Sequence, residues 1–376
     1  MFRSLLAGLL AAGVVLAAAR TETTAQDRKA PPKKRERIAI PDPKDAAKDD
    51  DFAIQGEYEG ERAAAGKDAP QGAAKGEEQP DVSQQQVKVA GKFGVQVVAK
   101  GDGKFAIKAL KGGLPGAGWD GKAVLTSTAE TKDGKVVATM KSGAETSTAT
   151  IADGKLTISV GSESFVLKKV ERKSKTLGEK PPQGAVVLWA AEGDEKNWDG
   201  GRLADLSDGK FLTVARVANK GGDIRTKEKF GAFKAHVEFR LPWMPNSSGQ
   251  GRGNSGVYLQ DRYECQVLDS FGLAGENNEC GGIYTQYKPL VNMCLPPLVW
   301  QTYDIEFTPA EFGADGKKAK PARATIYHNG VKIHDNIEFK GPTGGGQPET
   351  KEPGPFQFQD HGDPVVYRNV WAVPVK

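Results

Sequence analysis

Phe233-Lys234-Ala235-His236-Val237-Glu238-Phe239-Arg240-Leu241 alternates apolar and polar residues without a break. Successive side chains of a strand point to opposite faces, so Phe233, Ala235, Val237, Phe239 and Leu241 form one apolar face. Lys234, His236, Glu238 and Arg240 form the other, and His236 is expected to face water. The run QTYDIEF at 301–307 alternates in the same way. Residues 322–337, ARATIYHNGVKIHDNI, read as a hairpin about Asn329-Gly330, a dipeptide that accepts the positive φ of a two-residue turn. His328 and His334 flank that turn; since 328 pairs with 331, they are expected on opposite faces, too far apart to share a metal. Many such strands and no long helical period imply an all-β fold, a sandwich or jelly roll over 184–376.

Upstream, residues 87–170 change pattern but not class. Runs such as GVQVVA, KFAIKAL, KVVATM and KLTISV are separated by Asp-Gly at 102–103, 120–121, 133–134 and 153–154. With a strand at FAIQGEY (52–58), they suggest a small antiparallel β domain over 52–170, carrying a disordered polar insertion at 61–86. Residues 171–183, ERKSKTLGEKPPQ, read as a linker. Within this domain GGLPGAGWDG (112–121) stands out. Trp119 there either offers an aromatic face to a sugar or plugs a small core.

The N-terminus reads as an export signal over residues 1–25: Arg3, then an apolar run from Leu5 to Ala19 ending in small residues. That run is shorter than the ~20 apolar residues a membrane span needs, so a secreted or periplasmic product is expected. Residues 26–51 lack periodicity and read as a disordered linker, with the basic RKAPPKKRER (28–37) as its solvated part. The net charge of +4 is scattered among acids, which leaves no electrostatic footprint for nucleic acid. The three cysteines, Cys265, Cys280 and Cys294, lie within 30 residues of one another. No Cys/His spacing suggests zinc. One disulfide is expected, with Cys280–Cys294 favoured because Cys265 is read as a core-facing strand residue.

Candidate chemistry concentrates in 252–272, RGNSGVYLQDRYECQVLDSFG. Arg262, Glu264 and Gln266 share one face of a strand whose other face, Tyr263, Cys265 and Val267, is apolar. Tyr258 and Gln260 sit on the preceding run. A row of amides, an Arg and a carboxylate either faces bulk water or lines a groove; amides and Arg forks suit sugar hydroxyls.

Together with GDIRTKEKFGAFKAHVEFRLP, CGGIY, PARATIYHNGVKIHDN and FQFQDHGDPVVYRNVW, this stretch resembles the 3-keto-disaccharide hydrolase family over about 186–374. The resemblance implies the concanavalin-like lectin/glucanase sandwich and a carbohydrate substrate. A ketone at C3 acidifies the C2 hydrogen, so the C1–O bond can break by elimination before water adds. Such a site needs a base, an acid or metal near the leaving oxygen, and donors for the enolate. Glu264 is the candidate base, and His361 is the candidate histidine for an acid/base or metal role. Asn254, Tyr258, Arg262, Gln266, Asp269 and Arg368 are the candidate substrate-binding residues. No residue spacing indicates a metal, and the cofactor stays unassigned.

Retaining glucanases of the same fold use Glu-x-Asp-x-x-Glu to set two carboxylates about 5 Å apart. The corresponding spacing here is Glu264-x-Gln266-x-x-Asp269, with an amide in the middle, which argues against ordinary double displacement. Since fold does not dictate function, a non-catalytic carbohydrate-binding module is the alternative, and an envelope protein whose β domains only mediate contacts is a third reading.

Overall fold

A computed structural model describes residues 37–62 and 91–375, apart from positions 123, 143, 144 and 219. The expected leader (1–25), the start of the expected linker and nearly all of the insertion at 61–86 lie outside the described residues. Among those described, no helix is long and apolar enough to cross a membrane.

Eight antiparallel strands, from Gly56–Arg62 to Glu163–Val170, close a barrel in chain order. The last strand pairs back onto the first at Glu57, Tyr58 and Glu59. Asp102, Asp133 and Asp153 take φ of 56°, 49° and 49°, each followed by a glycine of positive φ, so three of the four Asp-Gly pairs turn hairpins. Asp120-Gly121 does not; it belongs to the loop between Lys104–Lys111 and Val124–Lys132.

Two local expectations are corrected. Residues 38–51 are ordered rather than disordered, because Asp42 and Asp49 cap two short helices, Pro43–Ala46 and Asp50–Ile54. Phe52 to Ile54 therefore form a helical turn, and the strand begins only at Gly56. Within the segment read as a linker, residues 172–178 are held against the rest of the fold. Arg172 pairs with Glu57 at 2.6 Å, Ser174 and Thr176 bond Thr302 at 2.6 and 2.8 Å, and Gly178 N donates to Glu238 at 2.6 Å.

The second half stacks two sheets. The smaller has the order Trp198–Asp199, Ile224–Thr226, Gln357–Phe358, Ser255–Leu259, Tyr263–Val267. The larger has eight strands, with Ala232–Arg240 between Val366–Val375 and Trp300–Thr308. Phe233, Ala235, Val237 and Phe239 meet Val257, Leu259, Cys265 and Val267 in the core, as their alternation requires. Trp243, just past the Ala232–Arg240 strand, is buried in the barrel's apolar cluster instead. Its ring lies 5.2 Å from Phe52, and its Nε1 donates to Asp49 at 2.9 Å. Trp243, not Trp119, is the indole in the barrel core.

His236 does not face water. The 171–183 segment and Trp371, stacked at 5.3 Å, cover it completely. His328 and His334 are both buried, because irregularities in the pairing set His334 opposite Ile326 and turn it inward. Each spends Nε2 on a separate partner, Gln301 Oε1 and the Gly281 carbonyl. All three cysteines are free and buried in the core, contrary to the expected disulfide.

Candidate active site

Gln260 and Asp261 both take left-handed φ, 55° and 59°, and turn the chain from Ser255–Leu259 into Tyr263–Val267. The register sets Tyr258 opposite Glu264 and Gly256 opposite Gln266. With Val257, Cys265 and Val267 turned into the core, these four share the sheet's other face. That face is roofed by loops. Glu264 N donates to Thr343 Oγ1 at 2.8 Å, its carbonyl accepts from Tyr284 N, and Gln266 N donates to the Gly282 carbonyl at 2.9 Å.

Under the roof lies a pocket of about 160 Å³, lined by Gln250, Asn254, Glu264, Gln266, Tyr284 and His361, with Gly344, Gly345 and Gln359 completing it. Glu264 is only 2% exposed. Burial pushes its carboxyl up to about 8, against the opposing hydrogen bond from Tyr258 and with added repulsion from Asp223. Tyr258 Oη lies 2.9 Å from Glu264 Oε2 and 2.7 Å from the Gly344 carbonyl, and it accepts from Gln359 Nε2 at 3.2 Å. One hydroxyl proton cannot serve both oxygens. A neutral Glu264 can donate to Tyr258 while Tyr258 donates to Gly344; an ionised Glu264 claims the Tyr258 proton and leaves that carbonyl unpaired. Glu264 Oε1 sits over Gly256, where a Cβ would overlap it.

Amides dominate the remaining wall. Gln266 Nε2 donates to Gln250 Oε1 at 3.2 Å, Gln250 Nε2 to the Asn278 carbonyl at 2.7 Å, and Asn254 Nδ2 to the Gln250 carbonyl at 2.8 Å. Asn254 Oδ1 is buried without a partner. Gln250, Gln266 and Gln359 each use one hydrogen bond through their NH₂ among the described residues, so each keeps an N–H for a ligand. His361 lies exposed at the rim.

Glu264, Gln266, Tyr258, Asn254 and His361 are thus brought together; Arg262, Asp269 and Arg368 are not. Arg262, beside the turn, spends its guanidinium on Gln260 Oε1, Thr350 Oγ1 and the Glu352 carbonyl. Asp269 is buried against Arg252 at 2.5 Å. Arg368 lies on the outer face of the larger sheet, 2.7 Å from Glu238 and stacked 4.1 Å over Trp300. Gln250, Tyr284, Gly344 and Gly345 were not singled out from sequence, since loop residues carry no periodic signal. Gln359 could have been found, because it shares strand parity with Gln357.

The pocket offers one carboxyl and one imidazole as metal donors. A separate cluster, Glu179, His236 and Asp304, has ligand atoms within 4.8 Å of one another. There His236 Nδ1 is bonded to Asp304 at 2.6 Å and its Nε2 faces Glu238 at 3.3 Å, so both ring nitrogens are occupied.

An antiparallel sandwich with an open-mouthed, amide-lined pocket over a buried carboxyl is a scaffold for recognising a polar, hydroxyl-rich ligand. Residues 184–373 match the 3-keto-alpha-glucoside-1,2-lyase-like domain, and the chain belongs to that family. A solved structure from Parabacteroides distasonis, described as a putative glycosyl hydrolase, is 35% identical over 52% of this chain and 85% of its own, with a TM-score of 0.45. A second structure of that organism with the same description is 17% identical over 51% of this chain and 95% of its own, with a TM-score of 0.35. No curated relative matches the chain.

Proposed function

We propose that the chain is exported and cleaves 3-keto-glycosides by elimination, with Glu264 as the base. The carrying observation is Glu264 itself: a buried carboxyl lining a pocket the size of a small ligand, with one oxygen tied to Tyr258 and its acidity tuned to about 8. A base is most effective when its pKa lies near the working pH. Ionised Glu264 takes the proton from C2, and the electron pair is held first in the C2–C3 enolate. Its return to the C3 ketone forms the C1–C2 double bond and expels the aglycone oxygen, which takes a proton; His361 at the rim is the donor. Water then adds at C1 and a proton returns to C2, which yields the free 3-keto sugar. With Arg262 and Arg368 engaged elsewhere, the N–H groups of Gln250, Gln266 and Gln359 are the donors for the enolate oxygen.

The export half of the proposal rests on Arg3 and the Leu5–Ala19 run. The amide-rich wall favours a second reading, sugar binding without turnover. Incubating the full chain with a chromogenic 3-keto-glucoside separates the two: release of the aglycone supports the lyase, and saturable binding with no release supports the binding module.

A further inference from the structure

Besides the Glu264 pocket, the described residues enclose a cavity several times larger. It is a groove of about 1190 Å³ between barrel and sandwich. The barrel contributes Trp119, Lys108 and the exposed hydroxyls of Thr126 and Thr128; the sandwich contributes Glu276 and Leu290, which is 73% exposed. Trp119 is half-buried and stands outside the barrel's core cluster, where Trp243 fills the apolar role. Its loop is held in place. Leu114 is fully buried and bridges to Ala117 and Gly118, and the Pro115 carbonyl accepts from Arg172 at 2.6 Å. Lys108 Nζ lies 5.5 Å from the Trp119 ring centroid and donates to the Leu273 carbonyl at 2.9 Å, so it ties the two walls together.

We infer that this groove is a second carbohydrate subsite, which takes the non-reacting part of a neutral glycan whose keto end enters the Glu264 pocket. A pre-set indole face suits the C–H face of a pyranose. Thr126, Thr128, Lys108 and Glu276 supply donors and acceptors for its hydroxyls. The groove's charges are of both signs, which suits a neutral chain better than a strongly anionic one. Continuity comes from the 275–279 loop. Its Glu276 lines the groove, while its Asn278 carbonyl accepts from Gln250 of the pocket, so the loop that walls the groove also braces the pocket's wall. The Glu279 carboxylate stiffens that loop by accepting from Gly275 N at 2.6 Å and Glu276 N at 3.0 Å.

This inference rests on the carbohydrate reading of the pocket, but its test does not depend on turnover. Binding of unoxidised α- and β-linked gluco-oligosaccharides to the full chain is measured by calorimetry and by tryptophan fluorescence. Trp119→Ala is expected to raise Kd about tenfold or more. Leu290→Asp, at an exposed position where folding is not at stake, is expected to raise it several-fold. For keto-substrates, Trp119→Ala should raise KM when the aglycone is an oligosaccharide and leave a one-ring aglycone unaffected. If no probe binds the parent, or if both variants bind as the parent does, the subsite is refuted. Absence of turnover with binding still lost in Trp119→Ala would sink the lyase reading and leave the groove standing.

Discussion

Tyr258 and Glu264 face each other across one hairpin, hydroxyl to carboxylate at 2.9 Å, on the side of the sheet away from the core. Because Glu264 titrates near 8, the proposed base is mostly protonated at neutral pH. Turnover of a 3-keto-glucoside should therefore rise with pH and level off above about 8. Tyr258→Phe deletes the hydrogen bond that holds this pKa down, so its pH limb should move to higher pH. A limb unchanged by that variant would detach Glu264 from the step.

Glu264→Gln should cut turnover ~10²–10⁴-fold, because an amide cannot take the C2 proton, while substrate binding survives. Stability supplies an independent readout. The folded pKa lies above the ordinary carboxyl value of 4.5, so native protein holds a proton that unfolded protein releases, and stability falls as pH rises from about 4.5 to about 8. Glu264→Gln should remove that fall, and melting curves at pH 5 and pH 9 would measure it.

Gly256→Ala should impair turnover with little change in fold. The new methyl would overlap Glu264 Oε1 and force the carboxylate off its position. A crystal structure of the variant with Glu264 in place and full activity would contradict this.

His236 should give stability a second pH dependence. Burial pushes its pKa down, but hydrogen bonds to Asp304 and Glu238 outweigh that and raise it to about 9. The stabilisation is complete below about 6.5 and disappears as pH rises through about 9. His236→Gln should flatten that part of the stability profile.

Trp243→Ala should cost about 3–5 kcal/mol, the usual range for deleting a buried aromatic, since it leaves a hole in the barrel's apolar cluster and removes one of Asp49's hydrogen bonds. Chemical denaturation would read the loss. A cost under about 1 kcal/mol would mean the indole is not a core element.

The three buried thiols should resist an aqueous thiol reagent in native protein and all react after unfolding. Peptide mapping that found a Cys280–Cys294 bridge would overturn this.

Period-two alternation made much of the fold legible. In Phe233–Leu241 and Tyr263–Val267 every second residue is apolar, and burial of that face follows whatever else the chain does. Asp102-Gly103, Asp133-Gly134 and Asp153-Gly154 were legible for the same local reason: few residue pairs take that backbone shape easily. Glu264, Gln266 and Tyr258 could be placed on one face by parity alone.

What covers the polar faces was not legible, because strand parity says nothing about remote segments. Lys234 stays exposed in a pair with Glu306, while His236, two residues on, is sealed by Trp371 and a segment read as linker. Arg262 shares Glu264's parity, yet the 343–354 loop captures it at the turn. Arg368 sits in a motif beside His361, but the last strand aims it at the opposite sheet's outer face. A sequence determines the two faces of each strand through the stereochemistry of successive residues. Which of those faces becomes a pocket depends on where chain a hundred residues away comes to rest, and only the tertiary structure decides that.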